Sequence, residues 1–308
     1  NGLAFQLMEN QCFTIENLVL TAMVNSFMIP KVPPQFFMFS RCGRTDSGVS
    51  GRDQVISLYI RTNINTGVTF GDIQNAVEAK QVVDYSFSKN YEEMNTFNYI
   101  EIINKHLPHF VYLTQYAFVP REFDARFSSQ SRAYIYIMPK IASKNELLQV
   151  LEVFKGEHNF KNVCKEKPGV ENFVRTVYDV KVEELDKYYE LHIKGSAFLY
   201  HQIRCMVSLI TLVVKQMINL DQLSQIFNLN QKFKYQMAPG ELLIFNGVEY
   251  KEELNLQWKG NCKEKFQQRD SQQRAGKMME CIVKSILMQG DAAGWFLTKM
   301  DENIGGWK

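Results

Sequence analysis

Between residues 39 and 60 the chain reads FSRCGRTDSGVSGRDQVISLYI, two apolar runs around a polar loop that holds Arg41, Arg44, Asp46 and Arg52. The run Arg44-Thr45-Asp46 followed by Gly48 describes a carboxylate on a tight turn among guanidinium groups. A guanidinium close by favours the ionised form of a carboxylate. An anionic carboxylate among cations suits a nucleophile or a base that faces a polyanion. The same residues equally describe a structural turn whose arginines face solvent, and nothing local separates the two.

The elements that must position this loop come from a chain of 308 residues, long enough for two ordinary domains or one large one. Hydrophobic residues at 45% and charged residues at 22% imply a sizeable core rather than disorder. With a formal net charge of only +2, any surface for a polyanion has to be a local basic face. The six cysteines are scattered without a CxxC pair, which reads as reduced thiols in an intracellular protein. The five histidines form no HExxH, so no metal site is indicated. The strongly apolar run Cys205 to Val214 is interrupted by Ser208 and Thr211 and is too short for a bilayer, so it predicts a buried helix and no membrane association. Asn1 opens in what reads as mid-domain sequence, so the numbering is expected to begin inside a longer natural chain.

Apolar positions at Ile15, Leu18, Val19, Ala22 and Met23 predict a helix over 14–27, capped by Thr14 and ended by Pro30, Pro33 and Pro34. Strands are expected at 36–42 and 54–60, on either side of the Asp46 loop, the second with both faces covered. Residues 67–84 give a mixed pattern and no clear element. A helix over 95–106 stops before Pro108, and strands follow at 110–119 and 132–138. Ser143 with Glu146 forms a capping box for the next helix, which runs to Gly156. Strands at 174–184 and 188–194, a helix over about 198–217 and a strand at 242–250 complete this part. Residues 260–290 are charged and helical in character, with an apolar stripe from Met278 to Leu287 that is expected to pack on the core or to offer a partner surface. The order of elements implies an α+β fold of two similar halves sharing a sheet, divided near residue 115.

Four segments resemble, in order, the motifs of the TruA-type tRNA pseudouridine synthases: CGRTDSGVS with QVISL, FDARFSSQSRAYIY, GEHNFKNVCK and AFLYHQIRCMV, spread over about 170 residues. GLAFQ and TIENLVLTAM before them, and MAPGELLIFNGVEY after, fit as well, so the likeness runs from Gly2 to about Tyr250. The RCGRTD wording and the NVCK segment are most similar to the eukaryotic branch that acts on uridines 38 and 39 of the anticodon stem-loop. The resemblance implies two pseudo-symmetric ferredoxin-like α+β halves, 1–115 and 116–258, that share a central mixed or antiparallel sheet with helices outside. A C-terminal helical extension over 259–308 follows, and a first strand upstream of Gly2 is expected to be missing.

By the same resemblance Asp46 is the catalytic aspartate, Tyr134 stacks on the flipped uracil, and Arg204 pairs with the aspartate. Arg44 matches the arginine that enters the stem where the base leaves, while Arg126 and Arg132 sit where the family has RNA-facing or loop-bracing arginines. His201 and the Lys161, Lys165 and Lys167 cluster are candidate RNA contacts, although a structural histidine and a solvated loop describe them too. Pseudouridine formation moves no electrons and no phosphate, so no cofactor is required. It does need the base flipped out of its stack, at a cost of a few kcal/mol. The implied partner is tRNA, the implied place of action the nucleus or cytoplasm. Bacterial members are dimers, which admits a homodimer.

Ser47 stands where relatives often have Lys or Ala, and Arg52-Asp53 where a small or apolar residue and Gly are common, which bears on substrate preference. The competing readings are the same reaction in the 27/28 region of tRNA and a non-catalytic tRNA-binding or chaperone protein with this fold. The combination of Asp46, Tyr134 and Arg204 argues against the second, since binding alone does not need all three.

Overall fold

The computed structural model describes residues 14–63, 68–81, 83, 97–230 and 235–260. The first helix is α1 (Ile15–Asn25), and Thr14 caps it by accepting the Asn17 amide N–H at 3.2 Å. Its face of Leu20, Ala22 and Met23 packs on Phe37, Tyr99 and Ile103 in a satellite core. The chain then turns through the 3-10 segment Pro34–Phe37 into the short strands β1 (Ser40–Arg41), β2 (Ser50–Gly51) and β3 (Ile56–Ser57). The strand expected at 36–42 is thus cut to two residues. Pro33 and Pro34 supply no amide N–H to a ladder, and Met38 takes a left-handed φ of 52°. The strand expected at 54–60 likewise shrinks to β3, whose only ladder among the described residues is the antiparallel pairing with β1.

Next come α2 (Phe70–Ala79), where the sequence pattern suggested no element, and α3 (Tyr99–Asn104). Thr69 and Asp72 form a capping box for α2, the signal that its weak periodicity hid. The strand expected at 110–119 makes no ladder among the described residues, only an isolated bridge from Tyr116 to Lys259. The Asn104 side chain takes its place, accepting the Leu113 N–H at 2.8 Å and donating to the Leu113 carbonyl at 2.9 Å.

The second part follows expectation more closely. It contains β4 (Ser129–Pro139), α4 (Lys144–Glu152), β5 (Gly156–Asn159), β6 (Val174–Glu184), β7 (Tyr188–Gly195), α5 (Gln202–Val214), α6 (Leu220–Ser224) and β8 (Leu243–Tyr250). The predicted Ser143–Glu146 capping box starts α4. One six-stranded mixed sheet runs β2-β8-β4-β7-β6-β5, antiparallel throughout except for β2 alongside β8. Among the described residues the chain before residue 115 gives that sheet β2 alone, so the architecture is mixed α+β around a central mixed sheet. Helices α4 and α5 cover a core that includes Tyr136, Leu147, Leu151, Leu191 and Leu209.

Ser208 and Thr211, which interrupt the apolar run of α5, are buried. Each donates its hydroxyl to the carbonyl four residues back, Arg204 and Val207, at 2.9 Å. No helix among the described residues is long and apolar enough to cross a membrane. The stripe from Met278 to Leu287 and the segment before Thr14 lie outside the described residues.

Candidate active site

The Asp46 loop bridges β1 and β2. Its turn closes where the Val49 N–H donates to the Asp46 carbonyl at 3.1 Å, with Gly48 at the third corner at φ 89°. A side chain there would be strained, so the glycine is what lets the turn present its carboxylate. On the β1 side Cys42 is fully buried: its N–H donates to the Val55 carbonyl, and its thiol donates to Gln54 Oε1 at 2.8 Å. Burial pushes this thiol up to about 11, which keeps it an inert anchor at neutral pH.

The arginines of the loop do not all surround Asp46. Arg41 reaches 2.6 Å to Glu16 of α1, which is only 4% exposed. Arg52 contacts Asn246 Oδ1 at 3.5 Å, and its N–H donates to the Phe245 carbonyl, tying β2 to β8. Arg44 and Arg52 are both exposed, Arg44 beside the turn itself. Partial burial, and then the charges of Arg41 and Arg126, pull its guanidinium below the usual arginine range. Arg44, Arg41 and Arg126 thus lie close enough to feel one another's charge, with Glu16 offsetting part of it.

Tyr134 sits midway along β4, facing Ile193 of β7 and Phe245 of β8. Phe198 and Phe245 meet its ring edge-on, with centroids 5.2 and 5.3 Å away. Burial drives its phenol well above the ordinary value, and the Asp46 charge adds to that, so the two residues share one electrostatic neighbourhood. Phe198 is held tightly, since a Cβ on Gly195 would stand 2.7 Å from the Thr176 carbonyl and 2.9 Å from the Phe198 ring. Gly195→Ala is therefore expected to cost about 1–3 kcal/mol through overpacking. A fall in the urea unfolding midpoint measures it, together with weaker activity as Phe198 is pressed toward Tyr134.

Arg132 lies two residues before Tyr134 and braces the site. Its Nε donates to the Cys42 carbonyl at 3.0 Å, and its terminal nitrogens donate to Ser196 at 3.3 Å and Arg126 at 2.8 Å. Of the two roles open to Arg132, this geometry is that of loop bracing. Arg126 instead lies over Phe127, a phenylalanine 78% exposed, at 5.3 Å.

The expected pairing of Asp46 with Arg204 is replaced in this structure. The carboxylate meets His201, with Nε2 3.0 Å from Oδ2. Arg204, one turn into α5, donates from Nε to the Ala238 carbonyl at 2.6 Å. A Cβ on Gly240 would lie 3.4 Å from that guanidinium and 3.7 Å from the Ser47 carbonyl, so Arg204 stands just across Gly240 from the aspartate turn. The physical reason is position along the helix. His201 is the N-cap of α5 and overhangs the loop, whereas Arg204 satisfies the carbonyl of the segment that leads to β8.

The exposed Lys161 lies over the Phe173 ring at 5.6 Å. Lys165 donates its N–H to the Tyr200 carbonyl at 3.0 Å, and Lys167 stands over the Tyr200 ring at 5.7 Å. Lys165 and Lys167 thus flank the N-terminus of α5. Sequence reasoning passed over Phe198 and Tyr200, which it placed at the start of the helix over about 198–217 although that helix begins only at Gln202, and Phe245, in the strand at 242–250. A recess of about 680 Å³ lined by Asp53, Gln54, Ser131, Glu249, Tyr250 and Trp258 does not include Asp46. Among the described residues, one group has ligand atoms close enough for a cation: Glu183, Glu190 and His192, within 4.8 Å of one another on β6 and β7.

Residues 150–251 match a family model described as tRNA pseudouridine synthase. The tRNA pseudouridine(38/39) synthase of Saccharomyces cerevisiae is 34% identical over 218 residues, covering 69% of this chain and 45% of that protein. A probable tRNA pseudouridine synthase of Caenorhabditis elegans is 31% identical over 264 residues, 80% of this chain and 63% of that one. The human tRNA pseudouridine(38/39) synthase is 29% identical over 272 residues, 82% of this chain and 53% of that protein. The chain belongs to the TruA-type tRNA pseudouridine synthase family. It spans about half the length of the curated relatives it matches.

Proposed function

We propose that the chain isomerises uridine to pseudouridine in the tRNA anticodon stem-loop, at positions 38 and 39. The observation that carries this reading is the 3.0 Å contact between Asp46 on its turn and His201 at the N-terminus of α5, with Tyr134 near enough to feel the aspartate's charge and the exposed Arg44 on the same loop. In the proposed reaction the N1–C1′ bond breaks, the freed uracil turns, and C5 joins C1′. The C5 proton is released and N1 regains one, so no atoms or electrons are left over. Asp46 assists at C1′, as a nucleophile or by removing a sugar proton. Tyr134 holds the flipped base by stacking, worth about 1–3 kcal/mol.

Arg44 fills the space the base leaves and contacts phosphate, with Arg126 beside it. Arg204 stands one short rearrangement from the aspartate turn and joins it when tRNA is bound. Lys161 and Lys165 contact phosphates around α5. Arg44→Ala is expected to weaken tRNA binding and to lower the slope of log K against log salt by about one, read from binding isotherms at several ionic strengths. The same reading carries two pseudo-symmetric halves, 1–115 and 116–258, a helical extension over 259–308, the capacity to form a homodimer, and action inside the cell.

The test is to map pseudouridine at nucleotide resolution in unmodified tRNA incubated with the protein. Modification at 38 and 39 is expected. Modification confined to the 27/28 region would move the chain to the sister branch, and none at all would leave a binding protein.

A further inference from the structure

The geometry points to His201 as the residue that positions Asp46, an inference that rests on the reading above. The Asp46 side chain is 41% exposed, so its carboxylate would rotate freely without a fixed partner. His201 supplies one: its side chain is only 11% exposed, with Nε2 3.0 Å from Oδ2. With Oδ2 engaged, Oδ1 is the oxygen left to face C1′.

Two further features show that this imidazole is held in place. His201 adopts φ 61° and ψ 11°, a left-handed conformation that a residue with a Cβ rarely takes. A helical φ there would instead continue α5 by one residue and carry the imidazole around the helix axis, away from the loop. The Tyr200 ring also stacks on the imidazole, with centroids 3.7 Å apart and planes 28° apart. Nδ1 is buried and has no hydrogen-bond partner. Nε2 is the nitrogen that faces a carboxylate, which only accepts, so the contact is an N–H of His201 donating to Asp46. Tyr200 is 43% exposed and lies under Lys167, so the clamp on His201 borders the basic surface proposed for the RNA backbone.

Two variants test this. His201→Gly removes the imidazole but adopts the left-handed backbone freely, so its effect is not that of a strained fold, and a melting curve checks this. His201→Gln returns an N–H donor at similar reach. His201→Gly is expected to lower the kcat for pseudouridine formation about 10–100-fold through misplacement of the carboxylate. KM and tRNA affinity should stay within about two-fold, and His201→Gln should recover most of the loss. An unchanged kcat, or a loss confined to KM, would overturn the inference, the latter making His201 an RNA contact. A wild-type protein silent on tRNA contradicts the reading of the site, and the contact is then decided without activity, from ¹⁵N spectra of the imidazoles. Asp46→Asn should move the His201 Nε2 resonance and leave the other four histidines in place. A His201 resonance that does not move overturns the inference.

Discussion

Asp46→Ala is expected to abolish pseudouridine formation, lowering turnover by roughly 10²–10⁴-fold or more, while tRNA affinity stays within a few-fold. The asymmetry follows from where the carboxylate sits. Removing an anion from a basic edge takes away repulsion toward phosphate, so binding should hold or tighten slightly. The Gly48 turn does not depend on the carboxylate, because it closes through the Asp46 backbone carbonyl and the Val49 N–H. Tyr134 keeps Phe198 and Phe245 at its edges in the variant. Single-turnover assays with saturating protein separate the chemical step from binding, and the loss should appear in the former.

Arg132→Ala is expected to be the most damaging substitution for stability in the site, at about 2–4 kcal/mol, read from the urea unfolding midpoint. One guanidinium serves three backbone carbonyls, those of Cys42, Arg126 and Ser196. Hydrogen bonds from a charged donor contribute about 1.5–3 kcal/mol each when buried, and less at the more exposed Arg126 end. The three carbonyls belong to the approach to the Asp46 loop, the lead into β4 and the exit from β7, so their release loosens the site as well as the fold. Arg132→Lys should recover little, because an ammonium cannot reproduce the planar fork that reaches three separated acceptors. Stability within about 0.5 kcal/mol of wild type, combined with weakened tRNA binding, would make Arg132 an RNA contact instead.

The parts of the fold legible in the sequence are those whose signals are local. The Thr14 cap, the Ser143–Glu146 capping box and the alternation of β6 and β7 each specify an element without reference to the rest of the chain. Residues 36–42, 54–60 and 110–119 also look strand-like, but a strand needs a partner, and alternation says nothing about who that is. Phe110 to Val119 found the Asn104 amide instead of a ladder, and Phe36 to Cys42 was pre-empted by two prolines.

The site divides in the same way. Asp46 stands out because Gly48 and the flanking arginines mark a turn, and Tyr134 and Arg204 follow from the family motifs. That His201 rather than Arg204 meets the carboxylate depends on a left-handed N-cap, a backbone state that no local pattern in YHQIR announces. The resemblance leaves Arg132 open between RNA contact and loop bracing, and no local pattern decides between them, since its three acceptors lie 90, 64 and 6 residues away.

The central claim is tested most directly by release of the C5 hydrogen. Joining C5 to C1′ expels one C5 hydrogen per uridine converted, so tRNA carrying tritium at C5 of uridine reports the isomerisation itself, independently of binding. The account predicts tritium release into water by the wild-type protein, equimolar with the pseudouridine mapped at 38 and 39, and none above background with Asp46→Ala. Release by Asp46→Ala at the wild-type rate, or no release by the wild-type protein from any tRNA, would contradict it.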